Sequence, residues 1–242
     1  PRAVEGKTVF DVCPEEFAAD VSDLMGQGVR IAGGCCGTTP DHIAALTRAA
    51  DFAPVPLTPK DHTLVSSYTH AVTFGKTPIL IGERINPTGK KRFREALKAG
   101  DMDYILKEGI AQEEQGADIL DVNVGLPDID ELSMLTAAVR ELQTVTNLPL
   151  QIDTSNPAAM EAALRRYNGK AMVNSVSGKQ ESMDAVFPLV KKYGGVVVAL
   201  TLDEAGIPDT AEGRLAIARR ILAEAKTYGI SRKDIIFDPL AL

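Results

Sequence analysis

Glu113-Glu114-Gln115-Gly116, running into Asp118-Ile119-Leu120-Asp121-Val122-Asn123, is the stretch whose reading decides the fold. It ends an amphipathic helix, places a glycine just past that end, starts a short apolar strand, and closes the strand on polar side chains. The unit recurs at Tyr167-Asn168-Gly169 before Ala171–Asn174, at Lys192-Tyr193-Gly194-Gly195 before Val196–Thr201, and at Tyr228-Gly229 before Asp234–Asp238. Each glycine (Gly116, Gly169, Gly194, Gly229) fits a left-handed helix C-terminus. The apolar runs read as strands buried on both faces, which is the mark of a parallel sheet. Ile79–Gly82 and Leu150–Ile152 complete six strands after residue 78, and Asp101 and Asn156-Pro157 mark helix starts.

Alternating strands and helices with no glycine-rich phosphate fingerprint after the first strand favour a (β/α)8 TIM barrel over a dinucleotide-binding open sheet. The strand ends sharpen that choice. Glu83 with Asn86, Asp121 with Asn123, Asp153, Asn174 and Asp238 close five of the six strands, and in a barrel such ends converge on the face that carries chemistry. Any one of them alone is equally well a helix cap or a loop anchor. From residue 79 to 242 there is room for six βα units where a whole barrel takes about 250 residues. The barrel is therefore expected to be truncated after strand six.

Upstream, Cys13-Pro14-Glu15-Glu16 opens a helix through about Gly26, Val29–Ala32 reads as a strand, and Thr39-Pro40-Asp41 starts a helix through about Ala50. Ala53-Pro54-Val55-Pro56-Leu57-Thr58-Pro59 reads as a stiff, extended linker. The expected organisation is residues 1–52 as the tail of one domain, 53–78 as linker, and 79–242 as a second domain.

The 242 residues carry 33 acidic and 26 basic side chains, a net charge of −7, which argues against nucleic acid as a partner. No apolar run approaches the roughly 18–20 residues of a membrane span. Pro1 stands where a Met would, so the chain reads as a fragment, without a secretory leader. Its three cysteines form no disulfide framework, and a cytoplasmic setting is expected. His42, His62 and His70 have no triad or metal spacing. Thr88-Gly89-Lys90-Lys91-Arg92 lacks the phosphate-loop spacing and reads as a solvated helix start, or as an attraction for an anionic substrate tail.

Between the upstream strand and helix sits Gly33-Gly34-Cys35-Cys36-Gly37-Thr38. Paired thiols in a glycine-rich turn suit zinc, because thiolates are strong soft ligands and glycine lets the backbone wrap closely. On the residues alone, two structural thiols are an equal reading. Cys13 reads as a helix-capping or incidental thiol rather than a third ligand.

With the following Thr39-Pro40-Asp41-His42-Ile43, this motif resembles the end of the homocysteine-binding barrel of the cobalamin-dependent methionine synthases and their zinc-dependent relatives. The resemblance implies that Cys35 and Cys36 are two of three zinc ligands, the third lying before Pro1. Residues 79–242 resemble the pterin-binding methyltransferase domain of the same family through Ile81–Asn86, Leu120–Gly125, Ile152–Asn156, Met172–Ser175 and Phe237–Leu240. By that resemblance Asp153, Asn174 and Asp238 contact the pterin ring of 5-methyltetrahydrofolate, and a further Asn near N5 falls beyond Leu242. The methyl acceptor in the family is cob(I)alamin on another domain, and homocysteine receives the methyl group to give methionine. The stretch by itself is expected to be inactive. A dihydropteroate synthase-like enzyme is the alternative, against which the cysteine pair argues, and a truncated pterin-binding fragment without catalysis is the third reading.

Chemistry agrees with a pterin. Its guanidine-like edge offers N–H donors that a carboxylate accepts in pairs, while an Asn amide serves donor and acceptor positions together. Hydrogen bonding or protonation at N5 makes that nitrogen a better leaving group.

Overall fold

The computed structural model describes residues 1–49, 58 and 60–241, and it divides into two compact units, Pro1–Lys60 and Asp61–Leu242. The segment 53–57 with Pro59, read as a stiff linker, lies outside the described residues.

The first unit opens with a hairpin, β1 (Arg2–Val4) antiparallel to β2 (Lys7–Val9), followed by helices α1 (Pro14–Gly26) and α2 (Pro40–Ala49). Pro14 sits in the first turn of α1, where a missing N–H costs nothing, and Glu15 and Glu16 favour the positive end of the helix dipole. Cys13 occupies the N-cap position, but its side chain makes no cap bond. The two helices pack through Ala18, Ala45 and Leu46. Val29–Ala32 does not form the expected strand. An apolar run becomes a strand only when a neighbour completes its hydrogen-bond ladder, and none of the described residues pairs with it, leaving Ile31 91% exposed.

The second unit is built on a six-stranded parallel sheet: β5 (Ile81–Ile85), β6 (Ile119–Val122), β7 (Leu150–Asp153), β8 (Met172–Ser177), β9 (Val196–Leu200) and β10 (Ile235–Asp238). Neighbours in space are neighbours in sequence throughout, with no reversal point, which is the strand order of a barrel rather than of a doubly wound sheet. Helices α3 (Lys91–Ala99), α4 (Met102–Glu114), α5 (Glu131–Val145), α6 (Pro157–Leu164), α7 (Gln180–Tyr193) and α8 (Ala211–Thr227) lie between the strands in sequence. Asp101 caps α4 by accepting the Tyr104 N–H, and Asn156 caps α6 by accepting those of Ala158 and Ala159, as expected from their positions.

Strand parity sorts the side chains. Leu120, Val122, Leu150, Ile152, Val173, Val197 and Ala199 join the helix residues Leu135, Leu142 and Phe187 in the main core. The alternate residues Ile119, Met172, Val196 and Val198 form a second cluster on the other face. That cluster is closed by a second hairpin, β3 (Leu64–Ser66) and β4 (Ala71–Thr73), through Val65 and Val72. The hairpin falls within the range 53–78 read as linker, and Val65 is wholly buried. Tyr167 ties it down, its hydroxyl donating to the Ser66 carbonyl at 2.8 Å and accepting the Leu150 N–H at 3.1 Å.

Gly116, Gly194 and Gly229 are left-handed, with φ of 89°, 70° and 71°. Gly169 is a glycine for another reason: a Cβ there would stand 2.2 Å from the Ser66 carbonyl oxygen, so it marks the close approach of the hairpin.

Candidate functional site

Because side chains alternate along a strand, the polar residues near the ends of β6 and β7 that share parity with the inner apolar cluster all face inward: Asp121 and Asn123 from β6 and just beyond it, Gln151 and Asp153 from β7. On β8, Asn174 stands in register with Asp153. The apolar layer of Ile119, Met172 and Val196 is thus the floor, and the polar layers lie above it toward the strands' C-terminal ends.

The polar groups interlock. Asn123 donates its amide to Asp153 Oδ2 at 2.9 Å, and its own Oδ1 accepts the Gly125 N–H at 2.9 Å. Gln151 donates its amide to Asp121 Oδ1. Asn86 donates to Glu83 Oε1 at 3.1 Å and accepts the Thr88 N–H at 2.9 Å. Lys90 donates to the Glu83 backbone carbonyl at 3.0 Å, so the basic cluster at 90–92 touches the site's edge through its first lysine. Thr154, following Asp153, donates to Glu131 on α5 and accepts the Asn156 N–H.

These carboxyls are crowded. Burial pushes the Asp121 carboxyl up to about 7, with the negative charges of Asp153 and Glu83 adding to the effect and the Gln151 amide opposing it. Burial likewise raises Asp153, opposed by the Asn123 hydrogen bond and reinforced by Glu83 and Glu131. Asp153 and Asn174 line a cavity of about 430 Å³, together with Thr154, Ser175, Ser177 and Lys179.

The structure therefore brings Glu83, Asp121, Asn123, Asp153 and Asn174 together, with Asn86 attached through Glu83. Asp238 stands farther round the sheet on β10, in register with Leu200, and its carboxylate accepts the Leu240 N–H at 2.7 Å. Sequence reasoning missed Gln151 and Glu131. Gln151 carries a signal, because it shares parity with Asp153 and interrupts an otherwise apolar strand; Glu131, at the start of a helix, carries none.

In the first unit, Thr38 folds the cysteine loop back on itself. Its hydroxyl accepts the Cys35 N–H at 3.1 Å and its N–H reaches the Cys35 carbonyl at 3.1 Å. A side chain at Gly34 would strike Thr38 and one at Gly37 would strike the Phe10 ring, which accounts for glycine at both. The Cys35 and Cys36 Sγ atoms are 3.6 Å apart and exposed. Hydrogen bonds from the Cys36 N–H and then from its thiol hold the Cys35 thiol below its usual range. Both cysteines line a cavity of about 590 Å³ with Phe10, Phe17 and His42. His42 is half-buried: Nδ1 lies 2.8 Å from the Thr39 hydroxyl and Nε2 lies 3.0 Å from the Val12 carbonyl, joining the starts of the two helices. His62 and His70 are exposed. Among the described residues, no group of three or more His, Cys, Asp or Glu side chains is gathered for a metal ion, and no helix is long and apolar enough to cross a membrane.

Residues 82–242 match the family described as pterin binding enzyme, and residues 1–50 match the homocysteine S-methyltransferase family. The chain is 33% identical to the methionine synthase of Mycobacterium leprae and 32% identical to that of Mycobacterium tuberculosis, over 96% of its own length in each case. It spans 20% of the length of these relatives, across the part where a homocysteine S-methyltransferase match gives way to a pterin-binding one. Among solved structures, a dihydropteroate synthase of Xanthomonas albilineans superposes with a TM-score of 0.56 at 24% identity, covering 74% of this chain and 66% of that one, a likeness of fold.

Proposed function

Since the chain belongs to the pterin-binding enzyme family, we propose that residues 79–242 are the greater part of a (β/α)8 barrel that binds 5-methyltetrahydrofolate as the methyl donor of a methionine synthase. In this reading residues 1–52 are the end of a homocysteine-binding barrel, the β3–β4 hairpin inside the range 53–78 belongs to the pterin barrel whose sheet it closes, and the methyl group passes to cobalamin carried on a separate domain in the cytoplasm. The observation that carries it is the wall of the 430 Å³ cavity, where the Asp153 carboxylate and the Asn174 amide stand side by side in register. A carboxylate beside an amide matches the donor and acceptor edge of a reduced pterin.

Asp153 accepts the paired N–H groups of the pterin's guanidine-like edge, and Asn123 holds that carboxylate in place. Asn174 takes the adjoining donor and acceptor, while Glu83, Asn86 and Asp238 complete the polar rim. When the bond from N5 to the methyl carbon breaks, the electron pair stays on nitrogen, so binding that orients the ring for protonation at N5 lowers the barrier. Homology to methionine synthase also favours a methyltransferase over a dihydropteroate synthase-like enzyme, in which the vicinal cysteines have no part.

Cys35 and Cys36 fit zinc. Two thiolates on one tetrahedral zinc stand about 3.8 Å apart for bonds of about 2.3 Å, close to the 3.6 Å between these sulfurs. With a further donor they would hold the ion, whose positive charge keeps a bound homocysteine sulfur ionised at neutral pH. Calorimetric titration with 5-methyltetrahydrofolate tests the pterin site. Binding to the chain that disappears in Asp153→Asn and Asn174→Ala supports it, and binding indifferent to both substitutions, or none to the unaltered chain, overturns it.

A further inference from the structure

Beneath the cavity wall lies a pair of buried polar groups that the reading above leaves without a task. Asp121 is 2% exposed and Gln151 6%, and once Gln151 has donated its amide to Asp121 Oδ1, both Asp121 Oδ2 and Gln151 Oε1 remain buried without a hydrogen-bond partner. Two such acceptors facing inward call for a donor, since a buried unpaired polar atom carries its full desolvation penalty.

We propose that Asp121 is a positioning residue: it stays protonated, and its O–H donates a hydrogen bond to the Asp153 carboxylate, which remains ionised and aimed into the cavity. The proposal rests on the assignment of that cavity to the pterin.

Three features support it. Asp121 is paired with Gln151 in the β6–β7 register, so Asp153, two residues on, is its diagonal neighbour on the same face, and two carboxylates so placed cannot bond unless one proton lies between them. The negative charges acting on the pair are Glu83 from β5 toward both carboxyls and Glu131 from α5 toward Asp153, while Lys179 and Glu181 line the cavity above Asp153. The nearest amides are Gln151, which holds Asp121 Oδ1, Asn123, which holds Asp153 Oδ2, and Asn174, which opposes the rise of the Asp121 carboxyl. Each carboxyl accepts an amide, so burial decides: Asp121 is the more buried of the two and keeps an unpaired oxygen, and the shared proton belongs there. Its carboxyl, pushed up to about 7, agrees. A ligand donating N–H groups to Asp153 strengthens the same arrangement.

The test compares Asp121→Asn, which keeps a donor in the same shape, with Asp121→Ala, which removes it. Affinity for 5-methyltetrahydrofolate at pH 6.5 is expected to stay within about threefold in the Asn variant and to fall at least about tenfold in the Ala variant, the change expected for one hydrogen bond to a charged group. Equal losses in both variants mean that the site needs an anion at 121 and overturn the proposal, as does unchanged affinity in the Ala variant. A second arm needs no ligand. Urea unfolding of the unaltered chain should show stability falling, relative to Asp121→Asn, as the pH rises from about 4 to about 7, because only the folded state keeps this proton there. Parallel pH profiles overturn the proposal even if no pterin binds, so failure of the pterin assignment is read separately.

Discussion

Asn123, just past the end of β6, and Asp153 on β7 hold each other across the sheet, the amide donating to the carboxylate at 2.9 Å. The bond favours only the ionised form of Asp153, whose burial and acidic neighbours otherwise favour the neutral one. Asn123→Ala therefore raises the Asp153 pKa. The expected result is a loss of 5-methyltetrahydrofolate affinity of about tenfold or more, on the scale of one hydrogen bond to a charged group. The loss should deepen as the pH is lowered, since protonated Asp153 cannot accept two N–H groups. Calorimetry at two pH values measures both; a pH-independent loss would falsify the link between this bond and the charge of Asp153.

Tyr167 makes a different kind of link. Its hydroxyl bridges the Ser66 carbonyl of the hairpin and the Leu150 N–H at the start of β7, and burial pushes its pKa up to about 12. Tyr167→Phe keeps the ring but leaves both backbone groups without that partner, at a cost of about 1–3 kcal/mol. Thermal unfolding of the variant is expected several degrees lower. Hydrogen exchange should quicken at the hairpin amides before the rest of the sheet, whereas uniform quickening would mean that the hydroxyl supports the whole unit and not its floor.

The vicinal cysteines give a spectroscopic prediction. Cobalt(II), which takes tetrahedral thiolate sites in place of zinc, should produce sulfur-to-cobalt charge-transfer absorption on titration into the chain. Cys35→Ser and Cys36→Ser should each weaken it, and Cys13→Ser should leave it unchanged, because Cys13 lies at the start of α1 and not in the glycine-rich turn. Equal weakening by all three substitutions would place Cys13 among the ligands.

How much of this was legible beforehand depends on the physics behind each element. The six parallel strands were legible because strands buried on both faces need continuous β-branched or aliphatic runs, and Val196–Leu200 and Ile235–Phe237 have no other ready explanation. The polar rim was legible for the same reason, since Asp121, Asp153 and Asn174 interrupt such runs at their ends. The β3–β4 hairpin was not: each strand is three residues long and turns only Val65 or Val72 inward, too little for a period to show. Val29–Ala32 misled in the opposite sense, because its composition suits a strand while pairing, which composition cannot reveal, is missing among the described residues. The state of Asp121 depends on how closely β6 and β7 bring two carboxyls together, a distance no single strand encodes.

Glu204 supplies the last prediction, away from the cavity. Its carboxylate accepts the Gln180 N–H at the start of α7 at 2.9 Å and pairs with Arg220 at 3.0 Å. The Arg220 hydrogen bond, followed by that from Gln180, holds its carboxyl down at about 2, from an ordinary 4.5. A depressed carboxyl stabilises the folded state fully above the unfolded value, and that contribution is lost as the pH falls from about 4.5 through about 2. The pair is exposed to solvent, which screens it, so the effect is expected to be small. Glu204→Gln keeps an oxygen for the Gln180 N–H but carries no charge for Arg220. Its melting temperature should therefore lie slightly below that of the unaltered chain at pH 6 and converge with it toward pH 2. Convergence that disappears in 1 M salt assigns the difference to charge, and a gap that persists at pH 2 assigns it to lost packing or capping.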